Sequence, residues 1–128
     1  MHVVAVQTTA SPAFARSLRD GRCYTTWPAA HTVAEGLEGG VGQTAVSLAA
    51  ARPPQVCLVE EADIIAAMLD LRRGVGRPIE GSAAVVLAAL RSPECADIPR
   101  PIVGILTGGN VSDETLAAFE QQRRRDAG

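Results

Sequence analysis

Three short stretches of this chain carry residue types that bind and orient small molecules. Thr107-Gly108-Gly109-Asn110 places a hydroxyl at the end of an apolar run, then two glycines that let another group approach the backbone. Thr32-Val33-Ala34-Glu35-Gly36-Leu37 and Glu80-Gly81-Ser82-Ala83-Ala84 each join a polar or acidic side chain to a glycine. Singly, each has a plainer explanation. The tetrapeptide at 107–110 also suits an ordinary strand-to-helix turn. Glu80 also suits the start of a helix, where negative charge is favoured without any chemistry.

Other reactive residue types form no constellation. Cys23, Cys57 and Cys95 are odd in number, widely spaced and match no zinc or redox pattern, so buried or incidental thiols are expected. His2 and His31 are too few and too far apart to suggest a metal site. Arg123-Arg124-Arg125 suits a solvated helix end, where cations are favoured. All 12 Lys+Arg residues are arginines, so the only primary amine is the α-amino group of Met1. A net charge of −2 gives no electrostatic case for a nucleic-acid partner. No secretory signal or membrane-length apolar run is recognisable, and a cytoplasmic location is expected.

The elements that must position these stretches alternate in type. Val3 to Val6 is a short apolar run that predicts a buried strand, followed by Ser11-Pro12 as a helix start, a helix to Asp20 and a stop at Gly21. A helix is predicted over 43–51 and ends at Arg52-Pro53-Pro54. Val56 to Val59 predicts a second strand, and Glu60 and Glu61 then favour a helix start. Ile64, Ile65, Met68, Leu69 and Leu71 give that helix an apolar stripe, ended by Gly74-Val75-Gly76. The stretch 82–91 is apolar almost all round, which predicts a buried helix. Ile102 to Leu106 predicts a third strand running into Thr107, and Ser112 with Glu114 begins a final amphipathic helix. Alternating strands and helices argue for an α/β fold: a short, mostly parallel sheet flanked by helices in three layers. The 128 residues are expected to form one unit, 1–128. Hydrophobic residues make up 47% and aromatics 3%, so its core must be built from Ala, Val, Leu and Ile. So few strands suggest an excised part whose sheet edges need covering.

The order and spacing of these stretches resemble the C-terminal part of the threonine dehydratase and serine racemase family. These are pyridoxal phosphate enzymes of the tryptophan synthase β-like fold. The family's apolar strand and the Ser-Leu that ends its first helix correspond to Val3–Val6 and Ser17-Leu18. Its Thr-Ile-Ala-Asp-Gly-Leu corresponds to Thr32–Leu37, and its later strand with following acidic residues to Val56–Glu61. Its Glu-Pro-Ala/Ser-Gly-Ala and its Ser-Gly-Gly-Asn correspond to Glu80–Ala83 and Thr107–Asn110. The resemblance covers nearly the whole chain and implies part of a large domain. It implies that Thr107 bonds the pyridine nitrogen of pyridoxal 5'-phosphate. A neutral hydroxyl there leaves that nitrogen unprotonated and favours elimination or racemisation over transamination. It further implies that the Gly36 backbone lies against the cofactor, that Glu80 stands close to its ring, and that Gly108, Gly109 and Asn110 shape the turn beside it.

The departures are as informative. The family's cofactor-holding lysine, substrate-carboxylate loop and phosphate loop belong to a portion this sequence does not contain, and no lysine replaces the first. Some members bind a divalent cation where Gln7 and Ala13 stand here, so no metal is expected. Gly81 replaces the family's proline after Glu80, which leaves that turn less fixed. The resulting expectation is the C-terminal half of an amino-acid ammonia-lyase acting on threonine or serine by family default. It would be inactive alone, with no catalytic residue of its own, and would use pyridoxal 5'-phosphate only beside a complementary chain. An N-terminal-half polypeptide supplying the lysine, or a homo-oligomer, is the expected partner. The alternatives are a non-catalytic remnant or interaction module of the same fold, and a fragment of a longer enzyme.

Overall fold

A computed structural model describes residues 2–28 and 30–126. The elements are β1 (Val4–Thr8), α1 (Ala13–Asp20), α2 (Gln43–Ala51), β2 (Gln55–Val59), α3 (Glu61–Val75), α4 (Gly81–Arg91) and α5 (Asp113–Asp126). Short 3-10 turns occupy Glu35–Leu37 and Pro93–Cys95. β1 and β2 pair in parallel, with Val4 opposite Gln55, Val6 opposite Cys57 and Thr8 opposite Val59.

Strand alternation assigns the layers. Val4, Val6 and Thr8 share a face with Cys57 and Val59. Cys57 and Val59 are buried, and Val4 and Val6 pack against the same core as Ile64, Met68, Ala84 and Ala88 of α3 and α4. Gln7 points to the opposite face, where its Oε1 accepts the N–H of Ala15 in α1 at 2.9 Å. α1 and its neighbour α2 therefore lie on one side of the sheet, and α4, α3 and α5 on the other. The small side chains Ala83, Ala84, Ala88 and Ala89 let α4 lie close to its neighbours, which is how a core so poor in aromatic residues closes. Leu116 closes it from α5 and is fully buried, a contribution of about 1.5–3 kcal/mol.

Helix ends follow the glycines. Gly21 and Gly76 cap α1 and α3 in the left-handed conformation, at φ 65° and 75°, where a side chain would be strained. The start of α1 differs from the sequence expectation. Pro12 takes the cap position and Ser11 turns its hydroxyl toward the Gly39 carbonyl at 3.4 Å, so the helix begins at Ala13.

The larger difference is the third strand expected over 102–106, which does not form. Only β1 and β2 pair among the described residues. Residues 102–106 make no backbone–backbone hydrogen bond there, and Val103 and Ile105 are 87% and 70% exposed. A β-branched apolar run becomes a strand by pairing. This run faces β1 across a groove and does not meet it.

Candidate functional site

Two of the motif stretches, 32–37 and 107–110, converge on the third, which forms the first turn of α4. Gly81 opens that helix and is buried. A Cβ at Gly81 would lie 2.0 Å from the carbonyl oxygen of Val33, so the loop at 32–37 rests directly on the helix start. The glycine that replaces the family's proline is therefore a packing requirement in this chain. Ser82, the next residue, accepts the backbone N–H of Gly36 at 2.8 Å.

The same loop is tied from its other side by Glu61, the first residue of α3. Glu61 Oε1 accepts the hydroxyls of Thr8 at 2.5 Å and Thr32 at 2.6 Å, and its Oε2 accepts the Val33 N–H at 2.8 Å. Thr32 in turn accepts the Ala34 N–H at 3.1 Å. A carboxylate at a helix N-terminus is favoured by the helix dipole, and bonds to an ionised acceptor are the stronger class. One side chain thus joins the end of β1, the start of α3 and the loop carrying Gly36.

Glu80 performs the matching task for the turn at 107–110. Its backbone N–H donates to the Gly108 carbonyl at 3.2 Å, and its Oε2 accepts the Asn110 N–H at 3.0 Å. A Cβ at Gly108 would overlap the Glu80 carboxylate, 1.9 Å from Oε1, so a side chain there would displace Glu80 from the turn. The Glu80 side chain makes no capping bond to its own helix. Its contact is with the neighbouring turn, which separates it from a simple helix-start charge.

Of the candidates from sequence, Gly36, Glu80, Gly108 and Asn110 are thus joined to the start of α4. Gly109 belongs to the same turn. The Thr107 hydroxyl is exposed and has no hydrogen-bond partner among the described residues. It borders a shallow depression of about 380 Å³ with Gly108, Gly109 and Arg77. Ser82 and Glu61 stand within the stretches quoted from the sequence but carry no role there, and Arg77 is not among them. The two acidic residues after β2 signalled a helix start, and nothing local in the sequence shows that Glu61 reaches a loop 28 residues away. At the two positions considered for a cation, Gln7 Nε2 donates to the Ser11 carbonyl at 3.2 Å and Ala13 is buried in α1. No cluster of three or more His, Cys, Asp and Glu is present among the described residues. No helix among them is long and apolar enough to cross a membrane.

A parallel α/β sheet with glycine-bearing loops at the strand ends defines a class of ligand-binding fold. The sequence profile of the pyridoxal-phosphate dependent enzymes matches residues 1–108, and the chain belongs to that family. It is similar to an L-threonine ammonia-lyase of Geobacter sulfurreducens, 29% identical over 123 residues, covering 95% of this chain and 30% of that protein. The fold superposes on a T.th. threonine deaminase with a TM-score of 0.78 and 25% identity, over 87% of this chain and 40% of that one. It superposes on maize serine racemase with a TM-score of 0.81 and 24% identity, over 98% and 40%. The chain therefore has a threonine/serine dehydratase-like fold of the tryptophan synthase β type. It spans about 30% of the length of the curated relative it matches.

The family implies pyridoxal phosphate, and the residues present fit one side of it. An unpartnered hydroxyl at Thr107 suits a neutral pyridine nitrogen. The turn at 108–109 adds no side chain beside that hydroxyl, and the Glu80 carboxylate fills the space a Cβ at Gly108 would take. The aldehyde has no lysine to hold it, because the sequence contains none.

Proposed function

We propose that this chain is the C-terminal half of a pyridoxal phosphate-dependent amino-acid ammonia-lyase, inactive alone, whose site is completed by a separate lysine-bearing chain. The observation that carries this reading is the convergence of two motif loops on the motif that opens α4, in a sequence without lysine. Glu61, Glu80 and Ser82 spend their polar atoms holding those loops, and Thr107 keeps its hydroxyl free. When bound, the cofactor supplies an electron sink for breaking a bond at the amino acid's α-carbon. Thr107 would hold the pyridine nitrogen with a neutral hydrogen bond. The backbone at Gly36 would lie against the cofactor, and Glu80, Gly108, Gly109 and Asn110 would form the turn beside its ring. Gln7 already bridges α1 and the preceding loop by hydrogen bonds, so no metal is required there.

The test is to combine this chain with the part of the Geobacter L-threonine ammonia-lyase that it does not match, or with an N-terminal half encoded nearby. Ammonia release from L-threonine or L-serine should require both polypeptides and pyridoxal phosphate, and should persist after chelation. A complex that neither retains the cofactor nor releases ammonia contradicts the reading and leaves a non-catalytic module of the same fold.

A further inference from the structure

A second concavity lies away from Thr107, and its shape specifies an occupant. It is an apolar groove of about 630 Å³ between β1 and residues 98–105, floored by Val86, Ala89 and Leu90 of α4. The hydrogen bonds of β1 run to β2, including those that flank the strand: Gln55 N–H to the Val3 carbonyl and Thr9 N–H to the Val59 carbonyl. The other edge of β1 has no partner among the described residues. Across the groove, residues 102–106 take no regular secondary structure and are likewise unpaired among the described residues. This segment is seated on α4, since a Cβ at Gly104 would lie 2.7 Å from Cγ1 of Val86. β1 is seated on the same helix. A strand edge and an apolar, β-branched segment thus share one floor, each with backbone N–H and C=O groups unpaired among the described residues, separated by an apolar gap.

We propose that this groove receives one extended, apolar strand of the lysine-bearing partner chain, which pairs with β1 on one side and with residues 102–106 on the other. A helix spends its backbone groups internally and could pair with neither edge. A strand satisfies both, at about 4.8 Å from each neighbour. Its side chains facing α4 must be apolar to match Val86, Ala89 and Leu90. A strand covered on both faces reads as a β-branched apolar run, which fixes the chemistry of the segment to seek in a partner. The chain covers 30% of the Geobacter relative and 41% of a fungal L-serine ammonia-lyase of the same fold, so a partner of this fold has ample sequence to supply a strand. The inference rests on the split-site reading given above and locates its main interface.

The test is hydrogen exchange of this chain, alone and with the unmatched part of the Geobacter L-threonine ammonia-lyase. Amides of residues 3–6 and 102–106 should exchange quickly at their groove-facing positions in the isolated chain and become protected together in the complex. Val103→Asp with Ile105→Asp changes side chains that are already exposed, so the variant should fold and yet bind the partner at least roughly tenfold more weakly. Protection of both edges without a cofactor absorption band supports the strand and refutes the catalytic reading. A cofactor band with both edges still exchanging refutes the strand and leaves the catalytic reading standing. Absence of association refutes the strand. Protection that rises with the concentration of the isolated chain also refutes it, because the occupant is then a second copy.

Discussion

The two loops that flank the start of α4 are held in different ways. The loop at 32–37 is closed by the chain itself: Thr32 and Ala34 are buried, and Glu61 collects donors from β1 and from the loop. The segment at 102–110 is fixed at its far end, where Glu80 grips Gly108 and Asn110, while its strand-like part has no pairing. The contrast separates a loop closed by bonds within the described chain from a segment whose strand-like part is unpaired there. Loops of a ligand site can stay in place on short-range bonds to one helix, whereas a parallel strand depends on its neighbour.

The largest effect should come from cutting the internal tie. Glu61→Ala leaves the hydroxyls of the buried Thr8 and Thr32 without their acceptor and should cost about 2–4 kcal/mol, read by chemical denaturation. Burial pushes the Cys57 thiol up to about 11, so near neutral pH it is protonated and labels slowly while the core is closed. Faster labelling of Cys57 in the Glu61→Ala protein would report the same loosening. Unchanged stability and labelling would mean that the loop does not depend on Glu61.

Gly81→Ala should follow, at about 1–3 kcal/mol, because its Cβ meets the Val33 carbonyl and the backbone must move. Thermal unfolding measures it. A neutral result would show that the loop yields easily and would weaken the comparison. Glu80→Ala should cost about 1 kcal/mol or less, since the bond it removes is exposed. Its clearer signature is faster exchange of the Asn110 amide with the 32–37 loop unchanged. Thr107→Ala should fall within about 0.5 kcal/mol of the parent, because that hydroxyl has no partner within the described chain. In a cofactor-loaded complex the same substitution should shift the cofactor's absorption, which a purely structural role would not do.

Much of this was legible in the sequence. The periodicity of Ile64, Met68 and Leu69 gave α3, Gly21 and Gly76 marked helix ends, and the apolar run in α4 gave the buried helix. The motif loops were legible because their residue types recur at fixed order. The missing strand was not, because composition reports the capacity of residues 102–106 to pair and says nothing of whether a neighbour is present. Glu61 was not, because its role depends on where a distant loop arrives. Gly81 was legible as a departure, but its cause, the Val33 carbonyl, exists only in three dimensions.

The most direct test of a ring-side half-site without a lysine is borohydride reduction in the presence of pyridoxal phosphate, followed by peptide mass spectrometry. In the complex with a complementary half, the cofactor should be trapped on a lysine of the partner and on no side chain of this chain. A specific, stoichiometric adduct on this chain, or an active complex with no trapped lysine, would contradict the assignment.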